Sequence, residues 1–380
     1  MGMRQRLDHP LVPLLLVVAA YLLFLGLRLR QVDITTFIVA GTEFVDPAAL
    51  PGPITVRHPI GYDGQFYYRL ALNPLTRQPV ADGVKLDSPL YRHRRILYPG
   101  LTWLLSLGQA RLVPTALVAV NLLALAGMGW LGGLYAQAAA KPAWLGAFFG
   151  LYPGFILTFS RDLTEILEAL LVLAALLALH RQRWLLATGL LVTAVLAKET
   201  ALLLASALGL VWLMTVRTDS QEGKWYTAVV PLAAYGAWLL FLQWWWRASL
   251  ASDVQSNLGL PFKGMIEVAS SFSTFGQVQK VWLTEVVVLG ITGIVTAVYL
   301  RASSAPLYEK LAWLLSSLLL VSLTAKVWIE DWAFLRAASL SYLLTVAVLI
   351  KTGRWQVQAL LLMISSLGWI LLAINVLKFY

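Results

Sequence analysis

The chain has 380 residues, 59% hydrophobic and only 13% charged, about half the roughly 25% charge of a soluble domain. That composition excludes an ordinary water-soluble fold and makes lipid the expected solvent. The absence of cysteine removes disulfides, thiolate nucleophiles and Cys-ligated metals, and the net charge of +10 points to anionic headgroups and phosphates rather than nucleic acid.

The first apolar segment, 11–27, is flanked by Arg4 and Arg6 before it and Arg28 and Arg30 after it. It is long for a signal peptide and no small-x-small cleavage site follows, so a retained first span with a cytoplasmic N-terminus is expected. Residues 31–95 form a long polar segment with six acidic and seven basic residues. Apolar segments then follow closely at 96–107, 112–137, 144–159, 163–179, 185–197, 201–216, 226–246, 281–300, 311–325, 337–350 and 357–377.

A crossing needs roughly 20 residues, and several of these are shorter. The reading is an all-α polytopic membrane protein of about 11 transmembrane helices, several short or broken, with 96–107 re-entrant or interfacial. All of 1–380 forms one transmembrane domain: 31–95 as the first extracytoplasmic loop with interfacial helices, 96–216 as a helical core, and 217–380 as C-terminal helices. The triple Trp244, Trp245 and Trp246 reads as an interfacial belt.

Alternating sides from an inside N-terminus puts Lys141, then His180, Arg181 and Arg183, then Arg217 and Lys224, then Arg301 and Lys310, then Lys351 and Arg354 in short cytoplasmic turns. The only acids there are Asp219, Glu222 and Glu309, as positive-inside orientation requires. The outer face nevertheless carries cations: Arg57, Arg69, Arg77, Lys85, Arg92, Arg94 and Arg95 in the loop, and Arg161, Lys198 and Arg336 beyond it. Cations placed against topological preference suit a phosphate, for which Arg offers a planar fork and Lys a point charge.

Four outer clusters carry the chemistry. In "GYDGQFYYRLALNP", 61–74, Gly61 and Gly64 bracket Asp63, and Phe66, Tyr67, Leu70 and Ala71 fall at helical spacing. A short amphipathic helix on the membrane is expected, with Asp63 either its N-cap or a functional group. The loop also holds Asp33 and Asp87, the latter just before Tyr91, Arg92, Arg94 and Arg95.

In "SRDLTEILEALL", Asp162 and Glu165 read as a capping box or as a face shared with Arg161. In "AVLAKETALLL", Lys198 and Glu199 interrupt a long apolar run, where two half-length helices lining a cavity should meet, unless the two form a mutual ion pair. The fourth, "KVWIEDWAFLR", contributes Lys326, Glu330, Asp331 and Arg336. All four belong to the same predicted face. No nucleotide-binding glycine loop, zinc motif or nucleophile elbow is present.

On these residues the chain resembles the GT-C glycosyltransferases, membrane enzymes that move a sugar from a polyprenyl-phosphate carrier to an acceptor on the non-cytoplasmic side. "YRHRRILYPGL", "LAKETALL" and "GLPFKGM" are similar to bacterial proteins of cell-surface glycopolymer formation, and Asp63 to the acidic position of a GPI-mannosyltransferase signature, with Tyr62 in place of Trp. The resemblance implies a GT-C-like core over 96–216 and a catalytic base in Asp63 or Asp33. It implies supporting carboxylates in Asp162, Glu165 and Glu199, and donor-phosphate ligands in Arg92, Arg94, Arg95, Lys198, Arg161 and Arg336. Tyr62, Gln65, Tyr67 and Tyr91 would contact substrate.

The implied partners are a polyprenyl-phosphate sugar donor, a glycan, lipid or protein acceptor, and membrane lipids, with no nucleic acid. The implied place is the bacterial cytoplasmic membrane with an extracytoplasmic site. No cofactor is certain: a divalent cation is compatible, but the loop has no Asp-x-Asp motif. The rival readings are a lipid-linked sugar flippase and a non-catalytic subunit of an envelope glycopolymer machine.

Overall fold

The computed structural model describes residues 8–216, 224–247, 257–273 and 276–379; Arg4, Arg6, Arg217, Asp219 and Glu222, named above, lie outside them. The architecture is all-α. Helix α1 (Leu11–Leu29) leads into the long polar segment, where strands β1 (Ala40–Gly41) and β2 (Val56–His58) pair in parallel. Then come α2 (Gly64–Leu72), the antiparallel pair β3 (Val80–Ala81) and β4 (Val84–Lys85), α3 (Pro89–His93) and α4 (Leu97–Ser106).

The helical body follows: α5 (Val113–Ala138), α6 (Ala147–Gly150), α7 (Gly154–Phe159), α8 (Glu165–His180), α9 (Trp184–Ala197), α10 (Leu202–Thr215) and α11 (Tyr226–Trp246). It is completed by α12 (Lys263–Ser271), α13 (Gln277–Tyr299), α14 (Leu307–Val321), α15 (Ala325–Trp328), α16 (Asp331–Ala337), α17 (Ser339–Ile350) and α18 (Trp355–Phe379). Among the described residues five helices are long and apolar enough to cross a membrane: α1, α5, α11, α13 and α18. Shorter apolar helices, α9, α10 and α17 among them, stand between these.

The body is knitted by neighbour packing. Helix α1 lies along α5, α5 along α8, and α8 along α9; α9 and α10 both pack on α11, α10 continues onto α14 and α14 onto α17, which touches α8 again. Small residues permit the closest approaches. A Cβ at Gly146 would lie 2.2 Å from the Gly132 backbone, so α5 and the 3-10 turn Ala143–Gly146 meet backbone to backbone. Leu22, Leu23, Leu27 and Leu29 on α1 point outward. An exposed apolar stripe of this kind is the face a bilayer covers.

Two expectations change. Helix α2 does not lie on a surface, because every residue from Gly64 to Ala71 is buried. It is sandwiched against α4 and the 3-10 turn Ile34–Ile38, and its Tyr67 ring meets Tyr98 edge-on at 5.6 Å. The Asp162–Glu165 capping box does not form either. Asp162 takes a left-handed φ of 50°, and α8 begins after Thr164 without a side-chain cap. Residues 161–164 are not helical, so helical spacing cannot bring Arg161 to Glu165.

At one end of the body Asp8 anchors the start of the described chain, accepting from Gln137 and from the Ala143 N–H. Close by in the body is a buried knot. Lys351 donates to both oxygens of Glu309 at 2.8 Å, and the Tyr135 hydroxyl donates to Glu309 Oε1 at 2.7 Å. His180 stacks on Tyr135 at 5.7 Å. The knot ties α5, α8, α14 and the C-terminal end of α17.

Candidate active site

The polar segment, the 160–164 turn, the α9–α10 break and α16 meet around Asp63. Local backbone puts the carboxylate there. Gly61 has φ +74°, and a Cβ on it would sit 2.5 Å from the Gly41 nitrogen; at Gly64 a Cβ would sit 2.4 Å from the Arg161 carbonyl oxygen. Only glycines allow chain to press on chain on both sides of Asp63. Gln65 pins the same turn, accepting from Gly41 N at 3.0 Å and donating to Ile60 O at 3.1 Å.

Asp63 precedes α2 with helical φ and ψ, and its carboxylate makes no capping bond. Its oxygens go elsewhere. Oδ1 accepts from Arg92 Nη1 at 2.7 Å and Oδ2 from Arg336 Nη1 at 3.0 Å.

The pairing continues outward from both arginines. Arg92 also grips Asp87 through Nε at 2.8 Å and Nη2 at 2.6 Å. Arg336 Nε reaches Glu165 Oε1 at 3.2 Å, and Lys198 Nζ reaches the same oxygen at 3.1 Å. Beside them Arg95 forks Glu199 at 3.1 and 2.7 Å and touches the Tyr91 hydroxyl at 3.0 Å. Lys198 and Glu199 thus face separate partners, because Lys198 leaves α9 in extended geometry. Four carboxylates, Asp63, Asp87, Glu165 and Glu199, balance four cations, Arg92, Arg95, Lys198 and Arg336.

Burial alone would raise the Asp63 carboxyl, but Arg92, Arg336 and Arg95 outweigh it and hold it well below the usual carboxylate range. Burial likewise opposes the charge on Arg92, and Asp63 and Asp87 more than restore it. Buried carboxylates left without these cations would be costly.

Asp63 and Arg92 line a cavity of about 600 Å³ with Tyr62, Gln65 and Arg161. Trp332 lines it as well, 5.8 Å from Tyr62. Arg161 lies over Trp332 at 4.3 Å, and Arg336 lies over Tyr62 at 5.0 Å. Such a mix of aromatic faces and fixed charges suits a polar ligand bearing an anion.

The other sequence candidates fall outside this centre. Asp33 caps the 3-10 turn Ile34–Ile38, accepting from Thr35 N at 2.8 Å and from Thr55 Oγ1 at 2.7 Å. Asp162 is fully buried and neither oxygen has a hydrogen-bond partner. Arg94 sits by the Tyr91 ring at 5.4 Å, away from the cavity wall; Tyr67 packs its ring on Tyr98 but keeps its hydroxyl beside Arg95, at the edge of the centre. Among the described residues no three His, Asp or Glu side chains come together to hold a metal.

Some cavity residues carried only a weak signal in the sequence. Trp332 lies inside the fourth cluster but is one of sixteen tryptophans, Arg57 is one of several outer cations, and Arg28 and His58 stand in stretches without a motif. Comparison with protein-family models, with curated proteins and with solved structures finds no match to this chain.

Proposed function

We propose that the chain is a membrane glycosyltransferase that moves a sugar from a polyprenyl-phosphate donor to an acceptor hydroxyl at the extracytoplasmic surface. The observation that carries this reading is the convergence of four distant sequence clusters on one ionised carboxylate, at the wall of an arginine-lined cavity at one end of an apolar helical body. In this reading the short helices and the broken α6–α7 segment also cross the bilayer, giving about eleven crossings. The cavity then opens outside, and the Lys351–Glu309 knot sits at the cytoplasmic end.

The chemistry balances on Asp63. The acceptor oxygen attacks the anomeric carbon, its proton passes to the carboxylate, and the bond from that carbon to the phosphate oxygen breaks. The electron pair leaves on phosphate, where Arg92 and Arg161 neutralise it. A carboxylate beside the carbon also stabilises the oxocarbenium character of the transition state.

In the resting site both oxygens of Asp63 are held by arginines, which makes it a weak base. A phosphate arriving at Arg92 competes for the same N–H groups, so donor binding itself loosens Asp63 and strengthens it as a base. Glu165 retains Arg336 and Asp87 retains Arg92, which keeps both guanidiniums in place during the exchange.

The test is sugar transfer by the purified protein in detergent with a panel of radiolabelled polyprenyl-phosphate sugars, with Asp63→Asn beside it. Transfer or slow donor hydrolysis by the wild type, lost in the variant while donor still binds, supports the reading. Donor binding without turnover by the wild type for any acceptor overturns it in favour of a transporter.

A further inference from the structure

Beyond the Asp63 network the cavity carries a second basic group; Glu43 and Glu330 line the same cavity, but among the described residues neither is in an ion pair with it. Arg28, in the last turn of α1, is only 6% exposed and lines the cavity. Its Nη1 donates to the Val376 carbonyl of α18 at 3.4 Å. Arg57, on β2, lines the same cavity. His58 follows, within the fields of Arg161 and Arg57; its burial and those two arginines push its pKa below the usual range.

Among the described residues no carboxylate lies within ion-pair distance of Arg28 or Arg57. Tyr62 lines the same cavity, with Arg161 and Arg336 against its ring.

The contrast in charge carries the argument. Around Asp63 four cations meet four carboxylates, and a phosphate enters only by displacing a carboxylate. At Arg28 and Arg57 an anion enters without displacing any. Two guanidiniums facing one cavity, one of them buried, make it more positive, and an anion between them lowers that potential. Their fork geometry favours a phosphate.

Access also fits. The outward leucines of α1 approach Arg28 from Leu22 to Leu29, so a phosphate carried on a lipid chain reaches this end of the cavity along the bilayer.

We infer that Arg28 and Arg57 form a second phosphate site in the same cavity, for a second phosphate group carried by one of the two substrates. This deepens the proposed function and rests on it for the identity of the ligand, though not for the presence of an anion site. The second phosphate has two sources: a lipid diphosphate in place of a monophosphate, or a phosphorylated acceptor.

Calorimetric binding in a non-ionic detergent separates them, using a short-chain polyprenyl monophosphate, the matching diphosphate, and a soluble sugar phosphate added to protein already loaded with monophosphate. The wild type should bind either the diphosphate at least about tenfold more tightly than the monophosphate, or the sugar phosphate on top of it. Arg57→Gln and Arg28→Gln should abolish that second effect and leave monophosphate affinity within about twofold. Arg57 is exposed on a short strand, so its variant keeps the question answerable if loss of buried Arg28 prevents folding.

Diphosphate preference assigns the site to the lipid, and sugar-phosphate addition assigns it to the acceptor. If neither anion shows any dependence on Arg57 or Arg28, the inference is wrong and Arg28 serves only to cap α18. Loss of monophosphate binding in Arg92→Gln, with the Arg57-dependent effect intact, reports on the Asp63 site separately.

Discussion

At the scale of single residues, Asp63 concentrates the argument. Its position before a helix invites a capping role, yet its oxygens meet two arginines from segments 29 and 273 residues away. Asp63→Asn keeps the shape and removes the base, and should reduce transfer about 10²–10⁴-fold, as loss of a general base does. Donor binding should change little.

The pH dependence follows from the same pairing. A carboxylate works as a base only when ionised, and Arg92, Arg336 and Arg95 keep the free protein's Asp63 ionised to well below the usual carboxylate range. The acid limb of kcat/KM, which reports the free enzyme, should therefore lie below that range. The limb of kcat, which reports the loaded enzyme, should stand at higher pH if, as proposed, the phosphate competes with Asp63 for Arg92. Arg92→Gln should move the kcat/KM limb upward. Profiles with coincident limbs in the wild type would refute the exchange of partners.

At the scale of elements, the site is made by interruptions. Helix α9 stops at Lys198 and α10 starts after a single 3-10 turn, which turns Lys198 to Glu165 and Glu199 to Arg95. The sequence showed this break plainly, since two adjacent charges in a long apolar run cannot face lipid. The reverse was true of α8, where i, i+3 and i, i+4 spacing suggested local pairs that a left-handed Asp162 prevents. Spacing rules carry information only inside a helix that has already begun. The amphipathic pattern of α2 misled in a related way: a moderately apolar face reads as a membrane-surface helix, while Tyr67 and Arg69 in fact find partners inside the protein.

The other end of the body offers an element-scale prediction. Lys351→Met leaves the Glu309 carboxylate buried beside Tyr135 with its cation gone. Breaking a buried pair on one side costs about 3–5 kcal/mol, so thermal unfolding in detergent should begin at clearly lower temperature. Lys351→Met combined with Glu309→Leu should recover much of the loss, since a well-packed apolar pair of similar volume replaces the ions at little cost. If the double variant is no more stable than the single, Tyr135 and His180 contribute more to the knot than its charge does.

At the scale of the whole molecule, hydropathy and charge distribution located the helices, and the side on which each polar cluster should fall followed by alternation. What could not be read was which cation meets which carboxylate, because ion pairs across 29 to 273 residues leave no local trace. That Trp332, Arg28 and Arg57 line one cavity was hidden for the same reason. The orientation itself is open to a direct check, because the chain has no cysteine and any introduced thiol is the only one. Ala48→Cys lies on an exposed part of the polar segment, and Ala302→Cys on an exposed turn between α13 and α14. In intact cells a membrane-impermeant maleimide should label the first and spare the second, and permeabilisation should expose the second. The opposite pattern would put Asp63 and its cavity on the cytoplasmic side, where the positive turns at Lys141, Arg181 and Arg354 would then face outward against the usual charge bias. Labelling of both sites in intact cells would break the alternation from which the extracytoplasmic placement of the cavity was drawn.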